Sequence, residues 1–188
     1  FISHPGYLPF LGIGGAGIGF IAVFLMMESY RLERIAIWRN PEAYEKGFQT
    51  IQGLYAIGSG RIFGCGLGKG LQKLGFVPEA QNDMIFSIVC EELGVFGAAL
   101  LLLMFGYLLY RLFFIAQNAP DLYGTLVVTG IFVHIALQVI LNLCVVLNLM
   151  PTTGITLPFV SYGGTSILFL MAEMGIALSI SRQIRVEE

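Results

Sequence analysis

Four stretches of about 20 mostly apolar residues, each long enough to cross roughly 30 Å of hydrocarbon as a helix, leave this chain few ways to fold. They run over about residues 8–27, 95–112, 126–147 and 166–184. The second reads VFGAALLLLMFGYLLYRL, with Arg111 as its one charge. Backbone N–H and C=O groups in lipid must be satisfied within the protein, so such segments cross as helices. The expected fold is all-α, a polytopic membrane bundle. Composition agrees: 12% of the residues are charged, against about 25% in an ordinary soluble domain, and the mean hydropathy is +0.81. Neither the net charge of -2 nor the residue pattern supplies a basic stripe for phosphates, which excludes nucleic acid as a partner. Cys65, Cys90 and Cys144 lack metal-ligand spacing; Cys90 and Cys144 read as small apolar fillers, while Cys65 sits in a glycine-rich stretch. The chain opens FISHPGYLPF, without Met or the basic leader of a signal peptide, as a piece of a longer protein would.

Four crossings put both termini on one side and residues 28–94 on the other. Arg111, Arg182 and Arg185 flank spans on the side of the termini, and cations near span ends mark the cytoplasm. The large loop is then extracytoplasmic. It begins with an amphipathic stretch, YRLERIAIWRNPEAYEKG, whose Trp38 and Tyr44 suit a membrane interface. FQTIQGLYAIGSG follows and is apolar enough to dip into the membrane surface. Next comes GRIFGCGLGKG, with glycines at 60, 64, 66, 68 and 70. Such density permits unusual torsions and close backbone approach. It fits a tight, surface-hugging set of turns, or a backbone facing a pyrophosphate, although the Walker pattern is missing.

The next segment, GFVPEAQNDMIFSIVCEELG, places Glu79, Asp83, Glu91 and Glu92 beside a nearly unbroken apolar run. Asn82 or Asp83 could cap the helix that follows. Asp83, Ser87 and Glu91 are four apart and so share a helical face, which would turn an acidic stripe toward a polar cleft. Asp83 thus reads either as a cap or as a base whose pKa a low-dielectric boundary raises. Glu91 and Glu92 read either as interfacial charges or as parts of the same site.

Within the third span His134, Gln138 and Asn142 also recur every four residues. Polar groups at this depth must be satisfied inside the bundle. They serve interhelical hydrogen bonds, or they line a groove. Glu173 is the acidic residue deepest in a crossing, and its partner is not legible. Between these spans MPTTGITLPFVSYGGTS is too irregular for a helix and too apolar for a free loop, so it should fold back into protein.

Several of these irregular stretches together resemble the FtsW/RodA/SpoVE-type membrane proteins of shape, elongation, division and sporulation. They are YRLERIAIW, QTIQGLYAIGSG, GCGLGKGLQKLGFVPEAQNDMIFSIVCEELG, PTTGITLPFVSYGGTS and SISRQ, in the family's order over most of the chain. The resemblance implies the last four helices of a ten-helix fold with cytoplasmic termini. It places residues 28–94 as the large extracytoplasmic loop, with short helices, in a multi-pass bacterial plasma-membrane protein. It also implies peptidoglycan glycosyltransfer, in which lipid II is polymerised and polyprenyl pyrophosphate is released. The family's essential aspartate falls on Asp83, and its motif positions on Gln72, Lys73, Pro78, Glu79, Glu91 and Glu92. Gln138 and Asn142 match polar positions of the penultimate helix, and Pro151, Thr156, Pro158, Ser161, Tyr162, Gly163 and Gly164 the final loop. Met84 departs from the usual Phe, Arg61 from a common Gly, and Gly70 from a common Ser.

In the implied chemistry Asp83 is the catalytic base. Lys73, with Arg61 or Lys69, would neutralise the pyrophosphate, as a divalent cation (magnesium or manganese) also would. Glu91 would tune Asp83, and Glu79, Gln138, Asn142 and Ser161 are further substrate contacts. Implied partners are lipid II, a class B penicillin-binding protein, and other division, elongation or sporulation membrane proteins; the division or spore branch fits better than elongation. Two rival readings are a lipid II flippase, which needs a polar route across the bilayer, and a non-catalytic scaffold.

Overall fold

The structure, a computed structural model, describes residues 29–70 and 82–184. The first expected span and the motif residues Gln72, Lys73, Pro78 and Glu79 lie outside the described residues. The described regular structure is helical throughout. Helix α1 is Ser29–Arg39, two 3-10 turns cover Pro41–Ala43 and Glu45–Gly47, and α2 is Phe48–Ser59. Three helices are long and apolar enough to cross a membrane: α3, Ile85–Gln117; α4, Leu122–Val146; and α5, Gly164–Ser181.

Sequence places the second crossing at residues 95–112, yet α3 has 33 residues and begins ten positions earlier, at Ile85. The short helix expected before Gly94 and the crossing after it form one element, broken at Gly94, whose φ is 67° and ψ -165°. An unbroken helix would bond the amides of Val95 and Phe96 to the carbonyls of Glu91 and Glu92. Instead Val95 N donates to Arg61 O at 3.0 Å and Phe96 N to Ile62 O at 3.2 Å. The released carbonyls of Glu91 and Glu92 accept from Cys65 N at 2.9 Å and Gly66 N at 3.0 Å. The glycine-rich loop is thus spliced into the helix, and the opened pairs are replaced group for group. Only glycine allows the approach: a Cβ on Gly94 would lie 2.4 Å from Gly64 N, and one on Gly64 2.1 Å from Glu92 O. Arg61 itself has φ 48°, a left-handed torsion that residues with a side chain rarely adopt.

Helix α4 starts at Asp121, whose Oδ1 accepts from Gly124 N at 3.1 Å as an N-cap. It ends in a Schellman arrangement: Asn148 takes φ 55°, its amide reaches Val145 O at 2.9 Å, and Leu149 N reaches Cys144 O at 2.7 Å. Phe105, Leu112, Ile115 and Ala116 of α3 join Val128, Ile131, Ile135 and Val139 of α4 in the core, and α5 adds Leu170 and Ala177. The Phe113 and Phe132 rings meet with centroids 5.9 Å apart. Such packing drives helix association where surrounding lipid removes any hydrophobic incentive.

The irregular segment between α4 and α5 folds into the protein, as its composition predicts, and Leu157 and Pro158 are buried. Its carbonyls are satisfied from other elements. Trp38 Nε1 reaches Asn148 O at 2.9 Å, and Arg34 reaches Thr152 O. Asn142 Nδ2 reaches Ile155 O at 2.8 Å and Gln138 Nε2 reaches Thr156 O at 3.1 Å. Arg34 and Trp38, one helical turn apart on α1, pin that helix across the segment.

Candidate functional site

Asp83 stands just before α3, at the end of the helices where the loop segments gather. It does not cap α3 with its side chain. The cap position is Met84, which makes no side-chain capping bond. Met84 is fully buried, against Gly53 of α2, and that burial fixes where the helix begins. The Asp83 carboxylate Oδ1 accepts from Gln49 Nε2 of α2 at 3.3 Å. The Asp83 main-chain carbonyl accepts from Asn142 Nδ2 of α4 at 2.8 Å. The same Asn142 nitrogen donates its second hydrogen to Ile155 O. Three separately folded parts therefore meet at Asp83: α2, α4 and the segment before α5.

The acidic stripe expected from Asp83, Ser87 and Glu91 does not face a cleft. Asp83 precedes the helix, Ser87 is 0% and Glu91 3% exposed, and Glu91 lies beneath Gly70, whose Cβ would come 2.8 Å from Oε2. The period of four is genuine, but it marks the face that α2 and the glycine-rich loop cover. Asn142, likewise grouped with substrate contacts by its sequence pattern, is 0% exposed. Its two amide hydrogens are used by main-chain carbonyls, and its Oδ1 has no partner among the described residues. Ser161 is buried, and its Oγ accepts from Leu157 N at 2.8 Å, a local knot. In this arrangement Glu91, Asn142 and Ser161 shape the site without reaching solvent.

Arg61 and Lys69 are exposed on the glycine-rich loop. Five amides of that loop already have partners and so are not free to cradle an anion. Gly64 N donates to Gly60 O, Cys65 N and Gly66 N to α3, and Lys69 N to Gly66 O. Gly68 N donates to Glu92 Oε2 at 3.1 Å, so Glu92 secures the part of the loop that carries Lys69. Among the described residues no group of three His, Cys, Asp or Glu side chains could hold a metal ion.

A second polar locus lies deeper. His134 Nδ1 sits 3.0 Å from Glu173 Oε1 and 3.1 Å from Oε2, which joins α4 to α5 and supplies the partner that sequence left open for Glu173. Gln138, one turn from His134, bonds Thr156 O, and its own buried Oε1 has no partner among the described residues. His134, Gln138, Leu141, Gly154, Ile155 and Thr156 line an open groove of about 350 Å³. The stripe of span three therefore makes hydrogen bonds between elements at all three positions, and part of it also lines a groove.

Sequence reasoning passed over Gln49, which lies inside the quoted QTIQGLYAIGSG stretch. Its signal was an amide at the start of a moderately apolar helix, two residues after Gly47. Arg34 and Trp38 carried a clearer one, a donor pair at helical spacing.

Apolar crossing helices, overlaid at one end by loop segments that gather a carboxylate and two amides, define a multi-pass plasma-membrane protein with a polar site at the end of its spans. The chain belongs to the FtsW/RodA/SpoVE family, described as cell cycle proteins, whose sequence profile matches residues 1–186. It is 48% identical over 186 residues to stage V sporulation protein E of Bacillus subtilis, covering 98% of this chain and 50% of that protein. It is 42% identical over 160 residues to the probable peptidoglycan glycosyltransferase FtsW of Bacillus subtilis, covering 84% of this chain and 40% of the other. A solved peptidoglycan synthase complex, described as coordinating polymerization and crosslinking, contains a chain that superimposes with a TM-score of 0.73 at 29% identity, over 97% of this chain and 51% of that one. A variant of the rod shape determining protein RodA of Thermus thermophilus gives 0.55 at 36% identity, over 72% of this chain and 41% of that one. The chain spans about half the length of the curated relatives it matches.

Proposed function

We propose that this protein is a peptidoglycan glycosyltransferase that polymerises lipid II, with Asp83 as its base. The observation that carries the reading is the placement of Asp83, a carboxylate held by Gln49 on its side chain and by Asn142 on its backbone. Convergent support of this kind fixes a reacting group to the tolerance that catalysis demands. In the reaction a sugar hydroxyl of one lipid-linked saccharide attacks the anomeric carbon of another. The hydroxyl proton passes to the Asp83 carboxylate, the carbon–oxygen bond to pyrophosphate breaks, and the configuration inverts from α to β. Arg61 and Lys69 offer positive charge to the leaving pyrophosphate. Lys73 and Glu79 complete the proposed substrate contacts, with Gln138 on the groove side.

The reading includes a topology: four crossings as the last part of a ten-helix fold, residues 28–94 outside the cytoplasm, and both termini within it. It includes a class B penicillin-binding protein as partner, with other membrane proteins of division or sporulation. The likeness to a chain of a synthase complex that couples polymerization to crosslinking supports that pairing.

One observation favours a transport reading, namely the His134–Glu173 pair and the groove beside Gln138. Polar groups on the faces of crossing helices are what a path for a headgroup requires. Purified full-length protein in vesicles with fluorescent lipid II separates the two. Glycan ladders on a gel are expected. Translocation of lipid II across the bilayer with no strands formed would overturn the glycosyltransferase reading in favour of transport.

A further inference from the structure

The splice of the glycine-rich loop into α3 leaves an unusual surface. Ile62, Phe63 and Leu67 are 65%, 82% and 76% exposed, and Val95 and Phe96, which open the crossing part of α3, are 64% and 67% exposed. The bonds Val95 N to Arg61 O and Phe96 N to Ile62 O set the two groups of side chains next to one another. Exposed Ile62 therefore lies beside the first exposed apolar residues of a helix long and apolar enough to cross a membrane.

Two further features say what covers it. Main-chain polar groups at a lipid boundary need partners, and here the amides of Gly64, Cys65, Gly66, Gly68 and Lys69 have protein acceptors. The carbonyls of Arg61 and Ile62 are likewise bonded. Exposed Arg61 and Lys69 lie at the two ends of the apolar triplet, where long cationic side chains can reach phosphate headgroups while their neighbours enter the acyl region.

We propose that residues 61–69 form an interfacial membrane anchor. Ile62, Phe63 and Leu67 enter the headgroup–acyl boundary of the leaflet around the start of α3, and Arg61 and Lys69 bind its anionic phospholipid headgroups. The anchor ties the loop, and through Glu91 and Glu92 the first segment of α3, to the depth at which a lipid-borne substrate presents its headgroup; that consequence rests on the glycosyltransferase reading, whereas the anchor does not.

The test places a nitroxide at position 63 by Phe63→Cys, with Cys65→Ser, Cys90→Ala and Cys144→Ala, in full-length protein reconstituted into phosphatidylglycerol–phosphatidylcholine vesicles. Position 67, by Leu67→Cys, is a second site in the same background, and exposed Glu42 is the aqueous reference. Collisions with oxygen should exceed those with a water-soluble nickel chelate several-fold at positions 63 and 67, with the reverse at 42. Arg61→Gln with Lys69→Gln should make the label shallower in the anionic vesicles and leave it unchanged in phosphatidylcholine alone. A nickel-accessible label at both positions, or one shielded from both reagents by protein, would overturn the anchor; an unchanged depth in the double Gln variant would overturn the headgroup contacts. Loss of polymerisation with the label still in lipid would bear on the enzyme reading alone.

Discussion

Asn142→Leu isolates the clamp on Asp83. Leucine keeps the γ-branched skeleton of asparagine, is bulkier, and removes its polar atoms, so the buried carbonyls of Asp83 and Ile155 each lose a donor 2.8 Å away. Leaving one such buried acceptor unsatisfied costs about 1–3 kcal/mol. Two are lost, but the variant also removes the Asn142 Oδ1, which is buried without a partner among the described residues and carries a similar penalty. The net destabilisation is about 1–3 kcal/mol, and 2 kcal/mol corresponds to roughly a 30-fold fall in the ratio of folded to unfolded protein. Equilibrium unfolding in mixed micelles reads the first effect. Turnover per folded molecule reads the second, because Asp83 remains in place chemically but is no longer held through its backbone; the loss should fall on kcat more than on KM. Asn142→Asp should be worse than Leu, since it sets a carboxylate oxygen against two carbonyls. An Asn142→Leu protein of wild-type stability and undiminished kcat would show that the two hydrogen bonds do not hold the site.

Gly94→Ala should destabilise by about 1–3 kcal/mol from its left-handed torsion alone, with more from a Cβ 2.4 Å from Ile62 O, and protease nicking of the glycine-rich loop would report the opened splice. Glu173→Gln and His134→Leu, in a double-mutant cycle, should show coupling of about 0.6–1.7 kcal/mol, as interhelical polar pairs do; zero coupling in unfolding measurements would remove the pair from the bundle's stability. Trp38→Phe keeps the ring but loses the bond to Asn148 O, and hydrogen exchange of residues 149–156 should rise while α3 is unaffected. A cysteine at Ala43 should react with an impermeant maleimide added from outside, and one at Glu188 should not; the opposite pattern would invert the topology.

The crossings at α4 and α5 were legible because unbroken apolar runs leave lipid-facing helices few alternatives, and both match the expected spans to within a few residues at each end. The inward folding of residues 150–163 was legible for a similar reason, as apolar side chains on an irregular backbone need protein to bond it. The start of α3 was not, because the pattern after Pro78 offered Asn82 and Asp83 as caps while burial of Met84 decided the matter. Nor was the splice at Gly94, which depends on pairing residues 61–66 with residues 91–96, a contact that no local pattern encodes. Periodicity placed Asp83, Ser87 and Glu91 together but could not say whether their shared face met solvent or protein, and α2 covers it. It also placed His134, Gln138 and Asn142 on one face. The partners Glu173, Thr156 and Ile155 depend on how α4 is rotated against its neighbours.

Replacement of Asp83 by Asn tests the central claim. Asn at position 83 can still accept from Gln49 Nε2, and its backbone carbonyl still meets Asn142, so these two contacts survive. What is lost is the basicity of the carboxylate. Full-length Asp83→Asn protein, matched to wild type in folded yield and partner binding, is given labelled lipid II, and the rate of glycan strand formation is measured. A general base contributes about 10²–10⁴-fold, so the rate should fall by that factor or beyond detection. Strand formation within a few-fold of wild type from well-folded Asp83→Asn protein would contradict the account, and would leave Asp83 a structural residue.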